Sequence, residues 1–542
     1  MKQKTEYSAV SGSTAEGSSR HSFSGQLGYI LAAAGASVGL GNIWRFPYLA
    51  AKYGGGIFLL IYIALAVTFG YTMIVAETVI GRRTRKSPVG AFRAYSDNRF
   101  FHAGGWINAI VPMLIVPYYS TIGGWVVNYL VQYLTGGAHA VAADGYFGEF
   151  ISNGAKSELW FLVFAFCTLA VIFAGVRSGI ERVSRFMMPV LVVLAVIVSI
   201  YSVTRPGALA GVAYFLIPNP RNFSWMTVVS AMGQMFYSLS IAMGILITFG
   251  SYMKDTVSIE KATRNVELFD TGIAVIAGLM IIPAVFAFSG GDASVLNAGP
   301  SLMFITIPKV LDSMGMSGFM GFMFFLLVFF AALTSSVALT EAAVSTFEDE
   351  LGWNRHVSTV VMGVIMVALG TLSCLGYGPL SNVKLIGMQF LDFFDFVTNS
   401  VMMPVAAIFI CLYIVRAMGL EAVEDEMTKC GGEFRRKKIF LFMIRFMCIA
   451  FLVVILVSSI LQVLGIVKIK THDRRGICSG KQFLCTSPRR KRTGIMRRNC
   501  CQTQESCLMP GRRKSRRWLD AEVRSIRESL CVKSRYPERS TA

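Results

Sequence analysis

Gly35-Ala36-Ser37-Val38-Gly39-Leu40-Gly41-Asn42-Ile43-Trp44-Arg45-Phe46-Pro47 lies inside the first apolar segment of the chain, where an uninterrupted membrane helix would be expected. Glycines, an asparagine and an arginine do not belong in plain hydrocarbon. A backbone polar group without a partner in lipid costs roughly several kcal/mol, so a glycine-interrupted segment at membrane depth persists only where it lines a cavity or binds something. Gly35 and Gly39 also form a G-x-x-x-G pattern, which by itself more often marks close helix packing. Packing leaves Asn42 and Arg45 unexplained, so the stretch reads as a substrate and ion site.

The rest of the chain supports a membrane setting. Of 542 residues, 54% are hydrophobic and 15% charged, and the mean hydropathy is +0.57, outside the balance of a soluble globular protein. Residues 1–25 are polar and serine-rich, with no apolar core of a removable signal peptide. Apolar runs of about 20 residues or more, long enough to cross a bilayer, lie near 26–48, 55–80, 107–134, 158–175, 184–203, 226–252, 268–289, 318–347, 357–375, 389–416 and 439–467. The expectation is eleven transmembrane helices in an all-α, polytopic membrane protein.

Basic residues in short loops stay in the cytoplasm. They concentrate in alternate connections, at Arg82, Arg83, Arg85, Lys86, Arg93 and Arg99, then Arg177, Arg182 and Arg185, then Lys254, Lys261 and Arg264, and last at Arg435 to Lys438. This predicts a cytoplasmic N-terminus, with residues 1–25 as a cytoplasmic segment, and eleven crossings put the C-terminus outside. That placement collides with residues 468–542, which hold 21 Lys and Arg against 6 Asp and Glu, a net of 21 − 6 = +15 out of +20. Six of the eleven cysteines, Cys478, Cys485, Cys500, Cys501, Cys507 and Cys531, also fall there, in no metal-ligand spacing. The tail reads as a disordered appendage; an anionic-lipid contact is the weaker alternative.

A second interruption occupies the sixth run, at Gly233-Gln234-Met235-Phe236-Tyr237-Ser238-Leu239-Ser240-Ile241-Ala242-Met243-Gly244. Paired breaks in two halves point to a transporter site. An odd number of spans between them reverses topology, so spans one to five (about 26–203) and six to ten (about 226–416) can be inverted copies, with 439–467 as an extra helix. An enzyme is not expected, because the five histidines are scattered and no metal or nucleophile motif is present.

Gly39-Leu40-Gly41-Asn42-Ile43-Trp44-Arg45-Phe46-Pro47 closely resembles the first-helix signature of the neurotransmitter:sodium symporter family, in its prokaryotic amino-acid branch. The likeness continues through Gly54-Gly55-Gly56, Tyr118-Tyr119-Ser120, the sixth-run break, Ala331-Ala332-Leu333-Thr334-Ser335-Ser336 and Phe347-Glu348-Asp349-Glu350-Leu351. The resemblance implies a 5+5 inverted-repeat fold with broken helices one and six, an amino-acid substrate, sodium as coupling ion and no organic cofactor. It further implies a bacterial inner membrane, and leaves oligomeric state open.

Physical chemistry explains why such a site is built from helix breaks. A zwitterion needs donors for its carboxylate and carbonyl oxygens for its ammonium, and broken helices expose both without a costly charged side chain. By resemblance, the backbone at Leu40 and Gly41 with the Tyr119 hydroxyl holds the carboxylate, and Ala36, Tyr237 and Ser240 surround the ammonium. Ile115, Ser238, Met243, Ser335 and Leu339 complete the substrate set. An adaptable Met243 beside Ile115 and Leu339 favours a hydrophobic or aromatic amino acid.

Sodium is a hard cation and takes oxygen ligands. The resemblance assigns one site to Ser37, Asn42, Ser238 and the substrate carboxylate, and a second to carbonyls of Gly35, Val38 and Ala331 with the hydroxyls of Thr334 and Ser335. Such hydroxyls often bond back to their own helix instead. Asp270 is expected near the first sodium, as a ligand or as the carboxylate that replaces chloride; the simpler alternative is an acid at a helix mouth. Two gates are implied, Arg45 with Asp395 and Arg20 with Asp349, although Phe23 stands where relatives usually carry tryptophan. The function so implied is sodium-driven symport by alternating access; a transport-inactive or substrate-sensing receptor on the same fold is the alternative.

Overall fold

The computed structural model describes residues 22–290 and 301–463. Arg20, the 468–542 tail and its cysteines lie outside the described residues. Among the described residues the chain is helical apart from one isolated bridge between Leu385 and Met388.

The first apolar run forms α1 (Gln26–Ser37) and α2 (Gly41–Lys52), bent by 54° at the break between them. Then come α3 (Gly56–Thr84), α4 (Arg99–Leu134), α5 (Gly154–Phe173) and α6 (Val176–Val203). The sixth run is again two pieces, α7 (Trp225–Ser238) and α8 (Ile245–Ser251). The chain continues through α9 (Ile259–Ser289), α10 (Ser317–Leu351), α11 (Arg355–Leu375), α12 (Phe390–Met418) and α13 (Lys437–Leu461). Nine described helices are long and apolar enough to cross a membrane, and the bent pair makes ten. With α7 and α8 as one broken span, all eleven apolar runs of the sequence are accounted for.

Local chemistry sets where these helices start. Ser224 and Thr227 form a reciprocal capping box at the head of α7, and Ser258 caps α9 through the Lys261 N–H. Pro112 and Pro117 sit inside α4 without ending it, as neighbouring helices in a membrane bundle re-satisfy the freed carbonyls.

Packing places both breaks at the centre. α1 lies against α9 and α10, while α7 and α8 lie against α3. On the other side α4 packs on α10, α5 and α11, forming the wall that faces the breaks. α13 sits at the periphery against α12. Polar side chains are buried where these layers meet, among them Asn42, Glu77, Gln234, Asp270 and Glu341, each with no solvent exposure. A buried ionisable group inside a membrane bundle is a functional candidate by default.

Candidate functional site

The backbone between α1 and α2 leaves the helical path at Val38 (φ −75°, ψ 93°) and resumes as a wide turn over Gly41–Arg45. Glycine is required here by space. A Cβ on Gly39 would lie 2.7 Å from Ser335 Oγ, and one on Gly41 would meet the Tyr237 ring at 2.7 Å. The second break is twisted instead: Ser240, Ala242 and Gly244 have φ of 53°, 60° and 68°. Left-handed backbone at two residues with a Cβ costs roughly 1–2 kcal/mol each and persists only when surrounding contacts hold it. Ser240 Oγ donates to the Ala36 carbonyl at 3.0 Å, and the Ala242 N–H donates to Glu77 Oε1 at 2.7 Å.

Between the breaks is a narrow cavity. All the residues expected around the substrate line it, from Ala36, Leu40 and Gly41 to Ile115, Met243 and Leu339. Tyr119 reaches in from α4, its hydroxyl 3.5 Å from the Leu40 N–H. Ile115, Met243 and Leu339 give the lining apolar surface, while the Tyr119, Ser240 and Ser335 hydroxyls and the broken backbone make it polar, which suits an amphipathic ligand of small size.

Two groups of oxygens border this cavity. Ser335 Oγ stands 3.3, 3.2 and 3.4 Å from the carbonyls of Gly35, Ala36 and Val38. One hydroxyl proton cannot serve three carbonyls at once, and only that of Ala36 has a second donor in Ser240 Oγ, so the four converging oxygens suit a small hard cation. Ala36 joins this group, whereas Thr334 Oγ1 bonds back to Phe330 and Ala331 of its own helix at 2.9 and 3.2 Å.

The other group centres on Asp270 of α9. Its Oδ1 accepts from Asn42 Nδ2 (2.8 Å) and Ser238 Oγ (2.9 Å), and its Oδ2 from the Tyr62 hydroxyl (3.1 Å). Asn42 turns its amide nitrogen to the carboxylate, and its oxygen accepts the Gly39 N–H at 3.2 Å. The Ser37 hydroxyl bonds to Ala33 of its own helix. Asp270 is therefore part of a buried network spanning both breaks.

The outer gate residues are placed differently from expectation. Arg45 and Asp395 make no direct ion pair: the Arg45 guanidinium lies over the Tyr237 ring, 4.8 Å from its centroid, and Asp395 accepts from Asn399 (2.5 Å) and Tyr118 (3.4 Å). The aromatic face of Tyr237 and the amide of Asn399 satisfy the two charges separately, which leaves the pair apart. At the basic end Asp349 accepts the Ser87 N–H at 2.6 Å. Phe23 is buried there against Tyr29, Phe249 and Tyr252, edge to face.

Sequence reasoning missed Tyr62, Glu77 and Gln234. Gln234 donates to the Gly41 carbonyl at 2.9 Å, tying one break to the other. Glu77 could have been found as a lone carboxylate in an apolar run; Tyr62 sits among apolar residues and carries no such mark.

Two broken spans, a cavity between them and an oxygen cage beside it define a membrane carrier of the broken-helix, inverted-repeat type. The chain matches the sodium:neurotransmitter symporter family over residues 20–140 and 151–471. It is 34% identical over 393 residues to the sodium-dependent transporter YhdH of Bacillus subtilis, covering 72% of this chain and 86% of that one. It is 28% identical over 461 residues to a sodium-dependent transporter of Haemophilus influenzae, covering 82% and 100%. Among solved structures it resembles MhsT in complex with L-phenylalanine, with a TM-score of 0.74 and 34% identity over 81% of this chain and 100% of that one. The chain belongs to the sodium:neurotransmitter symporter family, and is a sodium-dependent transporter.

Proposed function

We propose that this protein couples the inward sodium gradient to uptake of a hydrophobic or aromatic amino acid, by alternating access across a bacterial inner membrane. The observation that carries this reading is the cavity between the two breaks. It offers the Leu40 N–H and the Ala36 carbonyl to a zwitterion, and Ile115, Met243 and Leu339 to an apolar side chain. The L-phenylalanine held by the structural relative joins a zwitterion to an apolar side chain, the polarity this lining suits.

In this reading the Ser335 cage and the Asp270 network are the sodium sites. Asp270 supplies the negative charge that chloride provides in chloride-requiring members of the family. Residues 26–203 and 226–416 form the inverted halves, and the N-terminus is cytoplasmic, in line with the basic loops. Arg45 and Asp395 close the mouth of the cavity when they meet. Sodium and substrate each raise the other's affinity, because both bind the conformation in which the breaks are drawn together.

Uptake of labelled amino acids into proteoliposomes tests this. Accumulation of aromatic or large aliphatic amino acids that requires an imposed sodium gradient is the expected result; binding without sodium-dependent accumulation would refute symport.

A further inference from the structure

At the basic end of the bundle, a connection that the transport site does not use is bonded to the helices that carry it. Residues 419–436 lead from α12 to α13 and bond to both α3 and α9. Their last arginine, Arg436, enters a slot between those two helices. Its Nη2 lies 2.9 Å from Glu267 Oε2 and its Nε 3.7 Å from Glu260 Oε1, both on α9. Its guanidinium lies over the Tyr71 ring of α3 at 3.7 Å. Tyr71 in turn donates its hydroxyl to Glu260.

The slot is shaped by α3. Residues Ala66–Gly70 form a wide turn, in which the regular ladder of backbone bonds is displaced and carbonyls are freed. The Val67 carbonyl from that turn accepts from Arg436 Nη1 at 3.3 Å. A planar fork with several donors and an aromatic-stacking face fits this set, and a lysine would satisfy only part of it. Further back, Glu426 of the same connection holds Arg82 of α3 at 2.6 Å, and Lys429 pairs with Asp255, between α8 and α9, at 3.2 Å.

These bonds bear on the ion network through α3 and α9. Glu267 is three residues before Asp270, about 4.5 Å along one helix. On α3, Tyr62 donates to Asp270, about one and a half turns before the Val67 contact and two and a half before the Tyr71 contact. The two helices are thus joined at Asp270 by Tyr62 and again by Arg436, which reaches Val67 and Tyr71 in the middle of α3 and Glu260 and Glu267 in the first turns of α9.

We infer that Arg436 is a positioning residue for sodium: it clamps α3 to α9 so that Tyr62 and Asp270 keep the register in which the Asp270 network takes the ion. The inference rests on the reading of Asp270 as part of a sodium site. Loss of the clamp lets the pair slide and weakens sodium binding without touching the cavity.

The test is sodium-specific thermal stabilisation of the purified full chain, with NaCl replacing KCl at constant ionic strength. Arg436→Gln is expected to raise the sodium concentration for half-maximal stabilisation at least fivefold. Arg436→Lys, which keeps the charge and should fold in any case, is expected to give a smaller rise. Arg435→Gln serves as control, because Arg435 is solvent-exposed and, among the described residues, forms its ion pair with Glu433 two positions away; no change is expected. A fall in melting temperature in both salts with unchanged sodium half-saturation for Arg436→Gln and Arg436→Lys would make the residue merely structural and overturn the proposal. An equal shift for Arg435→Gln would also overturn it, as a general charge effect. A wild-type chain that sodium stabilises no more than potassium would overturn the sodium reading itself, and this inference with it.

Discussion

The two breaks solve the same problem by different means. The first is written in glycine: Gly39 and Gly41 let Ser335, Tyr119 and Tyr237 approach the backbone, and its exposed carbonyls are drawn to one hydroxyl. None of its residues has a left-handed backbone. The second carries Ser240 and Ala242 at positive φ and is held there by partners on other helices, Ala36 and Glu77. The first break is therefore intolerant of added volume, and the second of lost partners.

The largest effect is expected from volume at the first break. Gly39→Ala drives a Cβ to 2.7 Å from Ser335 Oγ and 3.2 Å from the Tyr119 hydroxyl, both in the packed centre. Sodium-driven uptake should fall about 100-fold or more, since overpacking of this kind costs roughly 1–3 kcal/mol or more and here also spoils the cage. Gly233→Ala, with nothing within 4 Å of the added carbon, should leave uptake within about twofold. Equal sensitivity at the two glycines would erase the distinction drawn from packing.

Next in size is the network that joins the breaks. Asp270→Ala removes the acceptor shared by Asn42, Ser238 and Tyr62 and should raise the sodium requirement for uptake about tenfold or more, or about 1.4 kcal/mol. Asn42→Ala should raise it by a smaller factor. Unchanged sodium dependence in both would remove this network from the ion pathway.

A moderate effect is expected at the second break. Glu77→Ala strands the Ala242 N–H and should weaken substrate affinity about fivefold to 30-fold, in line with roughly 1–2 kcal/mol, the lower part of the range for a buried unsatisfied group. Glu77→Gln keeps an acceptor and should lose much less. Ala242→Gly, which lifts the left-handed penalty, should partly rescue Glu77→Ala in a binding assay. Failure of that rescue would mean that strain is not what Glu77 offsets.

The smallest effect concerns a charge outside the membrane. Burial raises the Asp255 carboxyl, but Arg85 at 2.5 Å and Lys429 at 3.2 Å outweigh it and hold the group below its ordinary value. A carboxylate lowered in the folded state adds stability above its unfolded pKa, and loses it as pH falls through the folded value. Asp255→Asn should therefore lower stability near neutral pH, by under about 1 kcal/mol since the pair is exposed to solvent screening. The difference from wild type should vanish in acid, as followed by thermal melts across pH.

Much of the architecture was legible because hydrocarbon imposes a length and a polarity on every span. Eleven apolar runs and two polar interruptions could be counted, and the residues that line the cavity followed from motif resemblance. What was not legible depends on approach between distant segments. Tyr62 looks like any residue of an apolar helix until α9 brings Asp270 to it, and Arg436 reads as one of four consecutive basic residues until the slot between α3 and α9 separates it from Arg435. The Arg45 and Asp395 contact was read from pairing of opposite charges, and Tyr237 and Asn399 supplied each with a nearer partner.

By itself the sequence determined that this is a helical membrane protein with two broken spans, because unpaired backbone in lipid has no alternative but helix or ligand. The tertiary structure alone decided which oxygens converge on Ser335, which donors Asp270 gathers and which helices Arg436 joins. Those outcomes are sums of short-range contacts that fall off within a few ångströms, and only the packed chain sets such distances.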